Sequence, residues 1–272
     1  MAGTIRTGIG GWTFPPWRGV FYPQGLPQKR ELEYASRALN TIEINGTYYS
    51  SFKRATWAQW RAETPDDFVF SVKASRFATN RKKLADAAPS IEKFLGQGLA
   101  ELGPKLGPIN WQLANTKRFD PDDIKGFFAL LPDRIEGVRL RHAVEARHES
   151  FDTPEFVKLA KAAKVAIVYA ESADYPTIAP QTSDFTYARI MTAREGLAQG
   201  LPKKEIAALH EKAATWVKRG DVFVYFIAAA KVRNPAAAQA FRKQCEAGEP
   251  PAPGPSSGRP AAKVSRPRRP PR

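Results

Sequence analysis

Residues 41–49 read Thr-Ile-Glu-Ile-Asn-Gly-Thr-Tyr-Tyr. Side chains alternate across a strand, so Ile42 and Ile44 share one face while Thr41, Glu43 and Asn45 share the other. In a barrel strand the isoleucines would meet the covering helices, and Glu43 and Asn45 would point into the lumen near its upper rim. This is one of eight short β-type runs, at residues 5–12, 41–45, 68–73, 109–113, 142–147, 165–171, 185–191 and 222–226. Most are followed by a helical pattern. That alternation predicts βαβ units and a parallel sheet. Eight repeats in a chain of 272 residues fit an α/β fold of the closed (β/α)8 TIM type, whose chemistry sits at the C-terminal strand ends.

The helices are signalled at their starts. Asp120-Pro121-Asp122-Asp123 offers an N-cap, a first-turn proline and acidic charge on the positive end of the dipole. Thr153-Pro154-Glu155 repeats the device, residues 203–219 carry apolar side chains at helical spacing with Gly220 as a stop, and Asn234-Pro235 opens a last helix. Between Glu171 and Phe185 the signal fails at Tyr175-Pro176, Pro180 and Asp184, which predicts a reduced helix between strands six and seven. Residues 79–107 read as a long helical connection and residues 15–27 as a long Pro/Gly-rich loop.

The barrel is expected over residues 1–245. Residues 246–272 hold eight prolines, three glycines and no aromatic residue, the composition of a disordered, partly polyproline tail. Net charge is +15; the tail holds six basic and two acidic residues, +4 of that total, and leaves +11 on the body. Arg266, Arg268, Arg269 and Arg272 make the tail a candidate contact arm for nucleic acid, with a solubilising extension as the alternative. One cysteine, Cys245, excludes an intramolecular disulfide and a cysteine-based zinc site. No stretch is apolar enough to span a bilayer, and the expected location is cytoplasmic.

Strand parity gathers the polar residues. Ser71 and Lys73 share the inner face of strand three, Glu145 and Arg147 one face of strand five with His148 following, and Tyr187 and Arg189 one face of strand seven. Three fixed cations and a histidine against two carboxylates suit a small anionic substrate held by arginine. Glu43, Glu145 and His148 are the candidate acid–base residues. The competing reading is an internal salt-bridge network closing the barrel mouth. Lys73 is open to Schiff-base chemistry or to simple pairing with Glu43. The cofactor is open: a divalent metal on Glu43, Glu145, Glu171 and His148 is weighed but not favoured, because their spacing matches no metal motif. A glycosidase-like carboxylate pair is also weighed. Aromatic residues Trp12, Phe14, Trp17, Phe21 and Tyr22, with Tyr48 and Tyr49, would form a stacking wall or a packed plug. Gly8-x-Gly10-Gly11 lacks the third glycine and following helix of a dinucleotide site.

These residues resemble the YecE-like proteins, the domain of unknown function 72 family. The matching stretches are residues 8–12, 17–23, 41–49, Trp60 with Thr64-Pro65, 68–73, 105–108 with Gln112-Leu113, 145–148 and 187–189. Together they span most of residues 5–244. The resemblance implies a TIM-type barrel and leaves the activity open. It implies a polar mouth at Glu43, Asn45, Tyr48, Lys73, Glu145, Arg147, His148 and Arg189, to which Trp12 and Gln112 are added as substrate-binding candidates. The chain departs from the family pattern at Ala78-Thr79-Asn80, where the family tends to have a histidine, and at Ala114-Asn115, which replaces a proline pair. Met191-Thr192 replaces a His-Gly, and Ile227-Ala228 replaces an Asn-Asn.

Three functions compete. The first is a barrel enzyme acting on a small anionic, phosphorylated or sugar-like substrate by acid–base chemistry. The second is a nucleic-acid-binding or phosphoesterase barrel. The third is a non-catalytic ligand-binding barrel.

Overall fold

The computed structural model describes residues 3–248. Its main sheet is wholly parallel, with strands β1 (Ile5–Gly10), β2 (Thr41–Ile44), β3 (Val69–Lys73), β4 (Leu106–Gln112), β5 (His142–Glu145), β7 (Phe185–Ile190) and β8 (Asp221–Phe226). Strand β6 comes in two pieces, Ala166–Ile167 and Tyr169–Glu171. The first pairs with β5 and the second with β7, while β8 pairs with both β7 and β1, so the ring closes. Val168 separates the pieces, yet its N–H still donates to Val144 O at 2.9 Å.

Among the described residues seven helices of eight or more residues cover the ring: α1 (Glu31–Ala38), α2 (Arg54–Glu63), α3 (Ala88–Leu95), α4 (Pro121–Ala129), α5 (Pro154–Ala162), α6 (Lys203–Trp216) and α7 (Asn234–Ala247). The caps form as expected. Asp120 accepts from the Asp122 and Asp123 N–H groups and Thr153 from Phe156 N–H. No helix forms between β6 and β7, where the prolines remove both donors and helical backbone freedom. The connection over residues 79–107 is not one long helix. It breaks into short pieces: Asn80 and Lys83 leave helical backbone before α3, and Gly98 and Gly103 take positive φ values of 115° and 53° after it. Helix α7 runs to Ala247, past the expected boundary at residue 245, and the arginines of the tail lie outside the described residues. Among the described residues no helix is long and apolar enough to cross a membrane.

Strand β4 starts earlier than the sequence suggests. The expected run begins at Ile109, whereas the strand starts at Leu106, and the β3–β4 register slips from Phe70 opposite Leu106 to Val72 opposite Ile109. A bulge absorbs the missing proline donor and turns Pro108 O toward the Ser71 hydroxyl, 2.8 Å away.

Two apolar layers result. Outward side chains such as Ile42, Ile44, Phe70, Val72, Trp111 and Val224 pack against the helices in one large cluster. A second cluster, including Val69, Phe185, Phe223, Tyr187 and Tyr225, fills the lumen. Glycine is required at Gly8, where a Cβ would sit 2.1 Å from the backbone oxygen of Thr41 on the adjacent strand. Inside the barrel, polarity rises toward the C-terminal ends. Phe185 and Phe223 give way to hydroxyl pairs, Thr41 with Tyr225 at 2.8 Å and Ser71 with Tyr187 at 2.7 Å. Above these lies the charged layer.

Candidate active site

Strand ends β2, β4, β5 and β7 bring Glu43, Asn110, Gln112, Glu145 and Arg189 together, all buried. Arg189 stands between the carboxylates: Nη2 donates to Glu43 Oε1 at 3.0 Å and Nη1 to Glu145 Oε2. Glu43 Oε2 also accepts the Tyr187 hydroxyl at 2.6 Å. Glu145 Oε1 accepts Arg147 Nε at 2.7 Å. The amide of Asn110 bridges the pair, 3.3 Å from each carboxylate. Gln112 Oε1 accepts from Arg147 Nη2 at 2.8 Å and Arg189 Nη1 at 3.2 Å.

Burying two carboxylates costs several kcal/mol each, so they must be matched by cations and donors. The match here is even, two guanidinium groups for two carboxylates. Burial pushes the Glu145 carboxyl up, but Arg189 and Arg147 outweigh it and hold the value down at about 2. Burial and the charge of Glu43 raise the Tyr187 phenol, which stays protonated and donating. Both arginines are committed inside the network. That differs from the expectation of two free anion clamps, although Arg147 remains part-exposed and lies 4.3 Å over the Tyr175 ring.

Lys73 is the exception to the charge balance. Its ammonium lies 4.2 Å over the Tyr48 ring, and among the described residues no carboxylate pairs with it, Glu43 and Glu145 being taken by arginine. The expected pairing with Glu43 therefore does not form. Burial lowers the Lys73 pKa first and Arg189 second, to about 8. Tyr48 is held by Asn80, whose Nδ2 donates to its hydroxyl at 3.0 Å.

The other expected residues lie apart from this layer. Asn45 and Trp12 line a rim cavity of about 330 Å³ with Gly10, Phe52, Trp60 and Lys231. Trp12 packs edge-on against Trp60, ring centres 5.1 Å apart. The aromatic wall is mostly plug: Trp17, Phe21 and Tyr22 are buried in the outer core, where Phe21 and Tyr22 pack on Tyr34 of α1. His148 does not join the carboxylates. Its Nδ1 accepts Ser150 N–H at 3.1 Å and caps the turn Glu149–Phe151. The four-residue metal set also fails to assemble. Glu171 meets Tyr169 and Lys212, each at 3.4 Å, on the outside of the barrel, and among the described residues no group of three or more His, Cys, Asp or Glu could hold an ion.

Parity in the sequence marks most of this layer and misses Asn110, Tyr187 and Tyr175, and at the rim cavity it misses Lys231. Asn110 shares its face with Gln112 within an apolar strand, a signal that was there to read. Tyr187 was seen only as the neighbour of Arg189. Tyr175 and Lys231 come from loops, where no period applies. The departures after β7 and β8 are visible as chemistry: Met191 and Ile227 join the apolar lumen cluster, so that side of the mouth is greasy. Ala228 and Ala229 hold left-handed φ values of 53° and 42° there, a backbone asparagine tolerates better than alanine.

The UPF0759 protein YecE of Escherichia coli K12 is 29% identical over 147 residues, and the match spans 54% of this chain and 50% of YecE. The chain thus spans about half the length of the curated relatives it matches. A DUF72 family protein of Thermotoga maritima superposes with a TM-score of 0.73 at 22% identity, covering 89% of this chain and 99% of that one. A DUF72 family protein of Enterococcus faecalis gives 0.65 at 17% identity, covering 89% and 96%. At these identities the structures attest the barrel, not an activity. The family model described as "Protein of unknown function DUF72" matches residues 6–260, and the chain belongs to that family.

Proposed function

We propose that this barrel is an enzyme acting on a small anionic substrate by acid–base chemistry at its C-terminal strand ends. Lys73 carries the reading: a part-buried amine at the end of β3 with no carboxylate of its own, above a network whose charges already cancel. A carboxylate about 4 Å away would hold its proton by roughly 4 kcal/mol at an effective dielectric near 20. Without one, the amine exchanges its proton close to neutral pH, and its uncompensated charge attracts an anion. Arg147, paired with Glu145 but part-exposed, edges the same rim. Glu145, held ionised, is a fixed negative charge; to Glu43, bonded to Tyr187 and Arg189, this reading assigns the complementary transfer. Arg189 Nε and Asn110 Oδ1 are buried without a partner, polar atoms that a ligand or water would satisfy. His148 has no part in this reading.

The test is solvent-deuterium incorporation into a library of carboxylated and phosphorylated sugars and keto acids, read by NMR. Exchange in the wild type that is lost in Lys73→Met supports the assignment. No exchange with any member, or equal exchange in the variant, refutes it.

A second reading has its own observation. Tyr49 and Phe77 are exposed at 65% and 62%, and Arg76 stacks against both, 5.8 and 5.4 Å from the rings. Exposed aromatics interleaved with cations suit single-stranded nucleic acid. Oligonucleotide affinity that falls steeply with salt, and drops in a Tyr49→Ala, Phe77→Ala double variant, would support it. Salt-independent or undetectable binding would remove it.

A further inference from the structure

We infer that Lys73 is a covalent nucleophile, and that the substrate is an anionic carbonyl compound which condenses with its amine. This rests on the reading of the strand-end mouth as an acid–base site and names its substrate class.

Three features of the structure converge on the amine. Lys73 stands at a C-terminal strand end and is part-exposed, the side of a barrel on which substrates enter. The surrounding charges are complete without it: Arg189 serves Glu43 and Glu145, and Arg147 serves Glu145. Nothing nearby therefore locks the nitrogen lone pair into an ion pair, which is the usual fate of a buried lysine. Finally, the face of the Tyr48 ring lies 4.2 Å from Nζ. That face stabilises a cation of either kind, ammonium or iminium.

The charge count also selects the ligand. Lys73 in its protonated form leaves the layer one positive charge in excess, and a carboxylate or phosphate on the substrate cancels that excess. In the reaction, neutral Nζ attacks the carbonyl carbon and a C–N bond forms. The carbonyl π electrons move to oxygen, which takes one proton from the nitrogen and one that the ammonium gave to solvent before the attack. It leaves as water while the nitrogen lone pair closes the C=N bond. Overall an ammonium and a carbonyl become an iminium and water, so the layer ends with the charge it began with and no oxidant or reductant is needed. Glu43 is close enough to influence Lys73 electrostatically, as is Glu145. These carboxylates favour a cation at the nitrogen while burial and Arg189 oppose it, so the anionic group of the substrate supplies the compensation the iminium needs. The buried Met191 and Ile227 line the opposite side of the mouth.

The experiment incubates the full chain with pyruvate, and separately with dihydroxyacetone phosphate, in the presence of sodium borohydride. Hydride fixes an imine as a secondary amine, with a mass gain of the probe less one oxygen atom. Peptide mapping should place the adduct on Lys73, about tenfold above any surface lysine, since the lower proton affinity leaves more free amine at neutral pH. Lys73→Arg keeps the positive charge and should abolish that adduct, and an unchanged thermal melt shows that its fold is intact. Adducts spread evenly over surface lysines, or labelling unchanged in Lys73→Arg, would overturn the inference. If deuterium exchange persists while trapping fails, the acid–base reading stands and the covalent step falls. If both fail, the mouth is not an enzyme site of this kind.

Discussion

Arg189 on β7 reaches across the lumen to Glu43 on β2, 146 positions away in sequence, at 3.0 Å. The same guanidinium bonds Glu145 on β5, so one side chain ties three strands of the ring. The pair is nearly solvent-free, with side-chain exposures of 5% and 0%. Its worth lies less in attraction than in what removal would leave behind. Arg189→Met strands two buried carboxylates with one arginine and should cost about 3–5 kcal/mol in urea unfolding. Adding Glu43→Gln and Glu145→Gln to that variant should restore much of the loss. A triple variant no more stable than the single one would show that the charges are not what Arg189 serves.

Glu145 sets the acid limit. Its folded value, about 2, lies below the ordinary 4.5. A carboxyl depressed in the folded state binds its proton more readily in the unfolded chain, so stability is present above the unfolded value and is lost as pH falls toward the folded one. Urea midpoints of the wild type should decline between about pH 4.5 and 2, by something on the order of 3 kcal/mol from this group. Glu145→Gln should be weaker at pH 7 and flatter over that window. A variant whose acid profile parallels the wild type would exclude Glu145 as the source.

How far the sequence could be read follows from geometry. Parity along a strand is strict, so Glu43, Lys73, Glu145 and Arg189 were placed on the lumen side from spacing alone, and the ring confirms that side for each. Parity says nothing about loops. His148 lies past the end of β5, where the chain leaves the two-residue period, and the turn that it caps decides its direction. Trp17 and Tyr22 show the same limit, since aromatic composition cannot distinguish a stacking wall from a plug. Lys73 illustrates a third. Whether an amine pairs with Glu43 depends on which cation arrives first, and Arg189 holds that position from the far side of the barrel. The start of β4 at Leu106 rather than Ile109 has a local reason, because a bulge lets Pro108 sit within the strand.

The hydroxyl layer below the charges is separable from them. Tyr187 donates to Glu43 at 2.6 Å while its oxygen also faces the Ser71 hydroxyl at 2.7 Å. Tyr187→Phe keeps the ring packed against Tyr225, 5.0 Å away, but leaves Glu43 short of one donor. A buried acceptor stripped of its partner costs about 1–3 kcal/mol. The loss should appear as a lower urea midpoint with an unchanged slope. A midpoint within error of the wild type would mean that water replaces the phenol there.

Lys73 should reveal itself at alkaline pH, with the sign opposite to that of Glu145. Its folded value, about 8, lies below the ordinary 10.5. Between those values the unfolded chain binds more protons than the folded one, so this group makes stability rise with pH across the window. Below pH 8 the protonated amine opposes folding, because its charge is part-buried beside Arg189. Lys73→Met should therefore be more stable than the wild type at pH 7, with the advantage shrinking as pH climbs through 8 toward 10.5. Other lysines and tyrosines titrate in the same range, so the readout is the difference between the two proteins in urea midpoint, pH by pH. A constant difference would mean that Lys73 titrates as an ordinary surface lysine, and its placement as the reactive amine of the mouth would go with it.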